Sequence, residues 1–289
     1  VLVFHIYADY SALQGKGQRA FFWGGQRPQL RGRGQPPPIG HGSFESSLAV
    51  ALPFPLCYTR RTMDTTNTTK QTYRAVIFDL DGTLLDTLED LTDSCNQALA
   101  RLNYPPHTID EVRQFVGNGL GVMMEKALPG GRGNPDYEKA LAGMKEIYAG
   151  NYRNKTKAYP GVLELIERLK EKGVKMAIVS NKPDEQVKEL AALYFTSIPQ
   201  EAAIGENEAA GVRRKPAPDS VYTALRALGE DKSAAVYVGD SDVDMATARN
   251  AGLPCISVSW GFKTREFLQQ NGASPIVDRA EEILALPGF

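Results

Sequence analysis

Three cysteines and three histidines in 289 residues are few, and their scarcity removes several kinds of chemistry at once. Cys57, Cys95 and Cys255 are odd in number and far apart. Such spacing gives neither a disulfide framework nor a cysteine-rich zinc site, and it suits a reducing cytoplasm. His5 and His41 fall in the first 62 residues and His107 in the stretch 87–157, so zinc chemistry or a histidine base is not expected. No apolar run approaches the ~18–20 residues of a membrane span. Net charge is only −1, which gives no global reason to expect a nucleic-acid partner.

The charge that is present is unevenly placed. Residues 1–62 carry Lys16, Arg19, Arg27, Arg31, Arg33, Arg60 and Arg61 against Asp9 and Glu45, so the acidic excess lies in the remainder. The same stretch is rich in Gly, Pro, Arg and Gln, with Pro36-Pro37-Pro38 in its middle. It shows no sustained period of 2 or 3.6, and we expect it to be disordered. An Arg-rich, acid-poor leader also fits an organellar transit peptide. The first methionine is Met63. The simplest expectation is that the native chain starts there, that 1–62 is upstream sequence, and that 63–72 is a polar linker. Peptides from 1–62 in the natively expressed protein would overturn this.

What the sequence does hold is organised around Arg74-Ala-Val-Ile-Phe-Asp-Leu-Asp-Gly-Thr-Leu-Leu-Asp86. Ala75 to Phe78 is a short apolar run without alternation, the pattern of a strand buried on both faces. It stops at two acids and a glycine. Asp-Gly alone also punctuates turns. After about 70 residues of helical pattern, a βα rhythm follows. Val174–Val179 reads as a strand ending in Ser180-Asn181-Lys182, with a weak strand near Ala202–Ile204. Ala235–Val238 reads as a strand ending in Gly239-Asp-Ser-Asp-Val-Asp244, and further short strands are expected at Ile256–Val258 and near Ser274–Val277. Strands alternating with helices imply parallel βαβ units. The expected fold is α/β, a doubly wound parallel sheet of Rossmann-like form with an inserted all-helical cap. The core would be 73–86 and 158–289, and the cap 87–157, with helical breaks at Gly117-Asn-Gly119 and at 129–135.

A parallel sheet gathers its strand ends on one edge. That edge would hold Asp79 and Asp81, Ser180 and Asn181, Lys215, and Asp240 with Asp244. Carboxylates beside one lysine suit a hard cation with oxygen ligands, and magnesium is the usual partner of phosphate. A carboxylate can attack phosphorus. A second one two residues on can protonate the leaving alcohol and then activate water. Each residue has a plainer alternative. Lys215 could be a loop charge, Ser180 and Asn181 a helix cap, Asp240 an N-cap, and Gly117-Asn-Gly119 a simple break. Trp260 could be core packing.

Asp79-Leu-Asp-Gly-Thr-Leu-Leu-Asp86, Ser180-Asn-Lys182, Lys215-Pro-Ala-Pro218 and Gly239-Asp-Ser-Asp-Val-Asp244 resemble, in order and spacing, the four motifs of the haloacid dehalogenase-like hydrolases. Asp86-Thr-Leu-Glu-Asp-Leu91, Phe115-Val-Gly-Asn-Gly119, Val179-Ser-Asn-Lys-Pro-Asp184 and Ser259-Trp-Gly-Phe262 are similar to stretches of bacterial phosphoglycolate phosphatases. The resemblance implies a magnesium-dependent phosphatase of a small phosphate monoester, 2-phosphoglycolate, acting through an aspartyl-phosphate. It implies Asp79 as nucleophile and metal ligand, and Asp81 as general acid/base with its carbonyl toward the metal. Ser180 would hydrogen-bond the phosphoryl group, Lys215 neutralise it, Asp240 bind the metal and Asp244 support it. Gly82, Thr83 and Asn181 would lie beside the phosphoryl group, and Gly117, Asn118 and Gly119 would meet the substrate from the cap. Asp242 is expected to be a solvated helix-start acid.

The alternatives are another small phosphate or pyrophosphate as substrate, a phosphosugar mutase, or a non-enzymatic phosphate-binding regulatory module. The hinge Thr87-Leu-Glu-Asp90 lacks the histidine expected of a mutase. A dehalogenase would not need Asp81. The cap's candidate substrate cations are Arg113, Lys126, Arg132, Lys139, Lys145, Lys155 and Lys157. Oligomeric state is not legible.

Overall fold

The computed structural model describes residues 72–289; the expectations for 1–62 and for nearly all of the 63–72 linker fall outside the described residues. The chain enters at β1 (Ala75–Phe78), whose four residues are all buried. Alternate side chains leave opposite faces of a strand. Val76 and Phe78 accordingly join one hydrophobic cluster, and Ala75 and Ile77 another. The absence of polar alternation thus reflects two covered faces.

Following β1 are β2 (Leu85–Asp86) and four helices: α1 (Leu88–Ala100), α2 (Ile109–Phe115), α3 (Gly119–Ala127) and α4 (Tyr137–Asn151). Then come β3 (Lys157–Ala158), α5 (Val162–Glu171), β4 (Lys175–Pro183), α6 (Asp184–Tyr194) and β5 (Ala203–Glu206). The chain closes with α7 (Asp219–Leu228), β6 (Ala235–Gly239), α8 (Asp242–Ala251), β7 (Cys255–Val258), α9 (Arg265–Gln270) and β8 (Ile276–Val277). Six strands form one sheet in the order β5-β4-β1-β6-β7-β8, and every neighbouring pair is parallel. The chain runs outward from β1 through β4 to β5, then returns to β6 on the other side of β1. That reversal makes the C-terminal ends of β1, β4 and β6 the place where such a sheet opens a crevice.

β2 and β3 pair antiparallel, Leu85 opposite Ala158 and Asp86 opposite Lys157. This two-residue ribbon, which periodicity did not reveal, ties together the two ends of the helical insert. Asp90 reinforces it: its buried carboxylate accepts from the Lys155 and Thr156 N–H groups at 2.9–3.0 Å and from the Thr156 hydroxyl at 2.9 Å. Within the insert, Leu91, Cys95, Ala98 and Leu99 of α1 are buried in one cluster with Ala140, Met144 and Tyr148 of α4. The spacing of three and four on both helices gives each one apolar stripe. β4 departs from the sequence expectation. It was expected to stop at Val179, yet Ser180–Pro183 continue the strand, because Pro183 still pairs with Glu206 across a register shift.

Candidate active site

Asp79 follows the last residue of β1, and its N–H still donates to Val238 of β6 at 2.9 Å. The side chain therefore leaves the sheet edge on a strand fixed from both sides. Two residues on, the chain turns sharply back: the Leu84 and Leu85 N–H groups both donate to the Leu80 carbonyl. Gly82 makes this turn possible. Its φ is +94°, and a Cβ there would lie 2.6 Å from Asp240 Oδ2, so only glycine allows the loop to lie against Asp240.

Lys215 sits between two carboxylates. Its Nζ donates to Asp79 Oδ1 at 2.6 Å, to Asp244 Oδ1 at 2.8 Å and to the Tyr237 hydroxyl at 3.2 Å. An ammonium has three protons, so Lys215 is fully committed. Its side chain is 3% exposed, which excludes the loop-charge alternative. Burial alone would lower its pKa, but Asp244 and Asp79 outweigh burial and hold it above its ordinary value. Asn181 fixes the Lys215 backbone, accepting from its N–H at 2.7 Å and donating to its carbonyl at 3.4 Å.

Asp240 is not a helix cap. Ser241 caps α8 instead, in a capping box with Asp244. Asp240 Oδ2 accepts from the Phe262 N–H at 2.7 Å, and Oδ1 from the Thr83 hydroxyl at 3.4 Å. Asp242 is exposed in the first turn of α8, as a solvated helix-start acid should be. Asp79, Asp240 and Asp244 bring carboxylate oxygens within 4.8 Å of one another. Burial, then the Asp244 charge, push Asp79 well above the ordinary carboxylate range despite Lys215. The same two causes raise Asp240 to about 7. Three buried acids facing one lysine carry more negative charge than the protein itself offsets. A divalent cation with a preference for oxygen would correct this. Asp244 already serves Lys215, Tyr237 and Ser241, so it fits a supporting position better than a direct ligand.

Asp81 lies across the cavity. Its Oδ1 accepts from Lys182 Nζ at 3.0 Å and its Oδ2 from the Ser180 hydroxyl at 3.4 Å. A cavity of about 70 Å³ is lined from the sheet edge by Asp79, Asp81, Ser180, Lys182, Lys215 and Asp240. The insert contributes Leu91, Val116, Leu120, Met123 and Tyr148, with Gly117 and Gly119 between them. That volume holds a few waters, which suits a small substrate.

The structure brings together Asp79, Asp81, Ser180, Asn181, Lys215 and Asp240 as expected, and it places Gly117 and Gly119 on the cavity wall. Gly82, Thr83 and Asn118 do not line it. The Gly82 N–H is engaged with the Leu85 carbonyl at 2.9 Å. Asn118 offers its carbonyl outward to Arg214 Nη1 at 3.4 Å, and Asn181 donates to the Gly117 carbonyl at 3.3 Å. None of the insert's candidate cations lines the cavity. Arg132 pairs with Glu125, Lys139 with Asp136, Lys155 with Asp93, and Lys126 donates to Gln114. Four contributors were missed from sequence: Lys182, Tyr148, Tyr237 and the Phe262 N–H. Lys182 lies inside Ser180-Asn-Lys182, and a lysine at a buried strand end is itself a signal. Tyr237, a polar tip inside Ala235–Gly239, was a weaker one. Trp260 is more than packing, since its Nε1–H donates to the Thr83 carbonyl at 3.0 Å and steadies the loop.

Residues 76–258 match the haloacid dehalogenase-like hydrolase family. The chain is 34% identical over 221 residues to phosphoglycolate phosphatase 1 of Pseudomonas aeruginosa, covering 73% of this chain and 78% of that one. It is 35% identical over 205 residues to the phosphoglycolate phosphatase of Caulobacter vibrioides, covering 70% and 85%. A crystal structure of a candidate phosphoglycolate phosphatase from Lactobacillus delbrueckii subsp. bulgaricus superposes with a TM-score of 0.69 at 37% identity, covering 75% of this chain and all of that one.

Proposed function

The chain belongs to the haloacid dehalogenase-like hydrolase family and is a phosphoric monoester hydrolase, and from that premise we propose that it is a magnesium-dependent phosphatase of 2-phosphoglycolate. The observation that carries the chemistry is the Asp79–Lys215 pair at 2.6 Å beside Asp240, at the crevice end of the central strand. The observation that supports the substrate is the naming of the relatives, together with the small cavity.

In this reading an Asp79 carboxylate oxygen attacks phosphorus and becomes the aspartyl-phosphate. Asp81 delivers a proton to the departing alkoxide oxygen, then removes one from the water that hydrolyses the intermediate. Lys215 offsets charge on Asp79 and the phosphoryl oxygens, and the Ser180 hydroxyl donates to one of those oxygens. Magnesium would be held by Asp79 and Asp240, with Asp244 in support, and would supply charge compensation to the phosphoryl group. The helical insert acts as a cap over the leaving group, moving on the β2–β3 ribbon, and its apolar wall excludes water during the first step. Cys95 is a buried free thiol and Cys255 a half-buried one, which fits the cytoplasm as the working compartment.

The test is phosphate release from a panel of 2-phosphoglycolate, other small phosphate esters, pyrophosphate and an aryl phosphate, each with magnesium and with chelator. The expected result is magnesium-dependent turnover with 2-phosphoglycolate at the highest kcat/KM. A higher value for pyrophosphate or another ester would replace the substrate assignment. Full activity in chelator would remove magnesium from it.

A further inference from the structure

Lys182 is buried at the inner end of β4, its side chain 3% exposed, and the chemistry proposed above does not use it. It is one of two cations lining the cavity among the described residues; the other, Lys215, has all three protons committed. Lys182 has not. Its Nζ donates to Asp81 Oδ1 at 3.0 Å and to the Tyr148 hydroxyl at 2.5 Å, and its third proton has no hydrogen-bond partner among the described residues. Tyr148, from α4 of the insert, is 1% exposed. Its hydroxyl accepts from Lys182, and its own proton has no acceptor among the described residues. Burial pushes that phenol up to about 12, so the proton is retained at neutral pH. Two buried donors, one charged and one neutral, thus stand 2.5 Å apart on the cavity wall. That spacing lets each meet a different oxygen of one carboxylate. Elsewhere the insert's side of the wall is carbon and glycine, and a carboxylate facing carbon alone would be strongly disfavoured.

We propose that Lys182 and Tyr148 form a two-donor clamp for a carboxylate on the leaving group, and that this clamp sets the preference for phosphorylated hydroxy acids. Lys182 comes from the core and Tyr148 from the insert, so the clamp is complete only when both are in place. The specificity cation is therefore a core residue, and the insert supplies its neutral partner. The inference rests on the phosphatase reading above and adds a specificity site to it.

The experiment compares kcat/KM for 2-phosphoglycolate with that for 2-hydroxyethyl phosphate, an ester of the same chain length whose leaving group carries no charge. Wild type should favour the carboxylate ester by more than tenfold. Lys182→Met keeps the length and apolar stem, and it should shrink that preference by about 10- to 100-fold, the worth of a charged hydrogen bond. Some loss on both substrates is expected, because Asp81 also loses a partner; the ratio isolates the carboxylate. Tyr148→Phe keeps the ring and removes the hydroxyl, and it should shrink the preference by roughly 3- to 10-fold. Lys182→Arg should retain more of the preference than Lys182→Met. A wild-type enzyme that treats the two esters alike overturns the clamp without any variant. So does a Lys182→Met enzyme that slows both esters in equal proportion, which would make Lys182 a structural partner of Asp81. Absence of phosphate release from every ester would instead remove the phosphatase reading itself.

Discussion

On the sheet side of the cavity, Asp79, Asp81, Lys215 and Asp240 are held by charged hydrogen bonds of 2.6–3.0 Å. On the insert side, Leu91, Val116, Leu120 and Met123 offer carbon, and Tyr148 is the polar exception. The sheet side has almost no freedom. Lys215 fills every donor it has, Asn181 fixes its backbone, and Gly82 leaves no space for a side chain above Asp240. Two of the bonds across to the insert beside the cavity are longer and run to backbone carbonyls, Asn181 to Gly117 at 3.3 Å and Arg214 to Asn118 at 3.4 Å, and the short one joins Lys182 to the Tyr148 hydroxyl. A fixed charged floor suits bond making, and a largely apolar roof joined to it at a few polar points suits opening and selection. Variants of Asp79, Asp81, Lys215 and Asp240 should therefore damage every substrate, whereas variants of the roof, and of Lys182 where it meets the roof at Tyr148, should discriminate between substrates.

The largest effect is expected at the centre of the floor. Asp79→Asn removes the attacking oxygen and should lower turnover on all phosphate esters on the order of 10³-fold or more. The isosteric amide should leave the thermal unfolding profile close to wild type, since it also relieves crowding among buried acids. Retention of more than about a tenth of wild-type phosphate release would remove Asp79 as nucleophile. Next comes Asp81→Asn, which should cost roughly 10²–10⁴-fold on an alkyl ester. An aryl phosphate, whose leaving group needs little protonation, should lose less in its first step. Equal losses across a series of leaving-group pKa values would argue that Asp81 is not the acid.

The difference between floor and roof also explains what could be read from sequence. Asp79, Asp81, Ser180, Lys215 and Asp240 are residue types dictated by chemistry, and they interrupt apolar strands, so each stood out against its surroundings. The roof is built from Leu91, Met123 and Tyr148, which are also what a helix buries for packing. Periodicity located their helices but gave no way to tell a core face from a cavity wall. The seven cations named for the roof were selected by charge alone, and those paired above serve surface acids and a backbone carbonyl. The Phe262 N–H was illegible for a different reason. A backbone donor has no identity in the sequence, and its reach to Asp240 depends on Gly261, where a Cβ would lie 2.4 Å from Asp240 Cβ.

A smaller effect is expected where roof meets floor. Gly119 has φ +79°, and a Cβ there would sit 3.1 Å from the Arg214 guanidinium. Gly119→Val should push the loop off Arg214 and raise KM for the natural ester roughly tenfold, with less change in kcat. An aryl phosphate should respond differently, because it does not use the same wall. If both substrates lose kcat/KM in the same proportion, the loop is structural and the division between fixed floor and selective roof fails at this point.

The last effect is one of stability and belongs to the floor alone. Asp240 is raised from an ordinary carboxylate value to about 7 by burial and by Asp244, and Asp79 moves the same way. A carboxyl whose folded pKa lies above its unfolded one binds its proton more tightly in the folded state. The stability it contributes is complete below the unfolded pKa and is lost as pH rises through the folded one. Through Asp240, chelated protein should therefore lose stability as pH climbs from about 4 to about 7, and Asp79 acts in the same direction. A bound divalent cation replaces the proton as the source of positive charge, so its benefit should grow over the same range. At a hundredfold excess over Kd a ligand adds about 2.7 kcal/mol, or roughly 5–10 °C in Tm for a domain of this size. Thermal melts with magnesium and with chelator at pH 5.5 and 8 should show the larger magnesium increment at pH 8. Asp240→Asn should reduce that increment, and Gly119→Val should leave it unchanged, since the roof contributes no carboxylate to the cluster. An increment that is the same at both pH values, or that survives Asp240→Asn intact, would mean that the buried acids are balanced by something other than a metal.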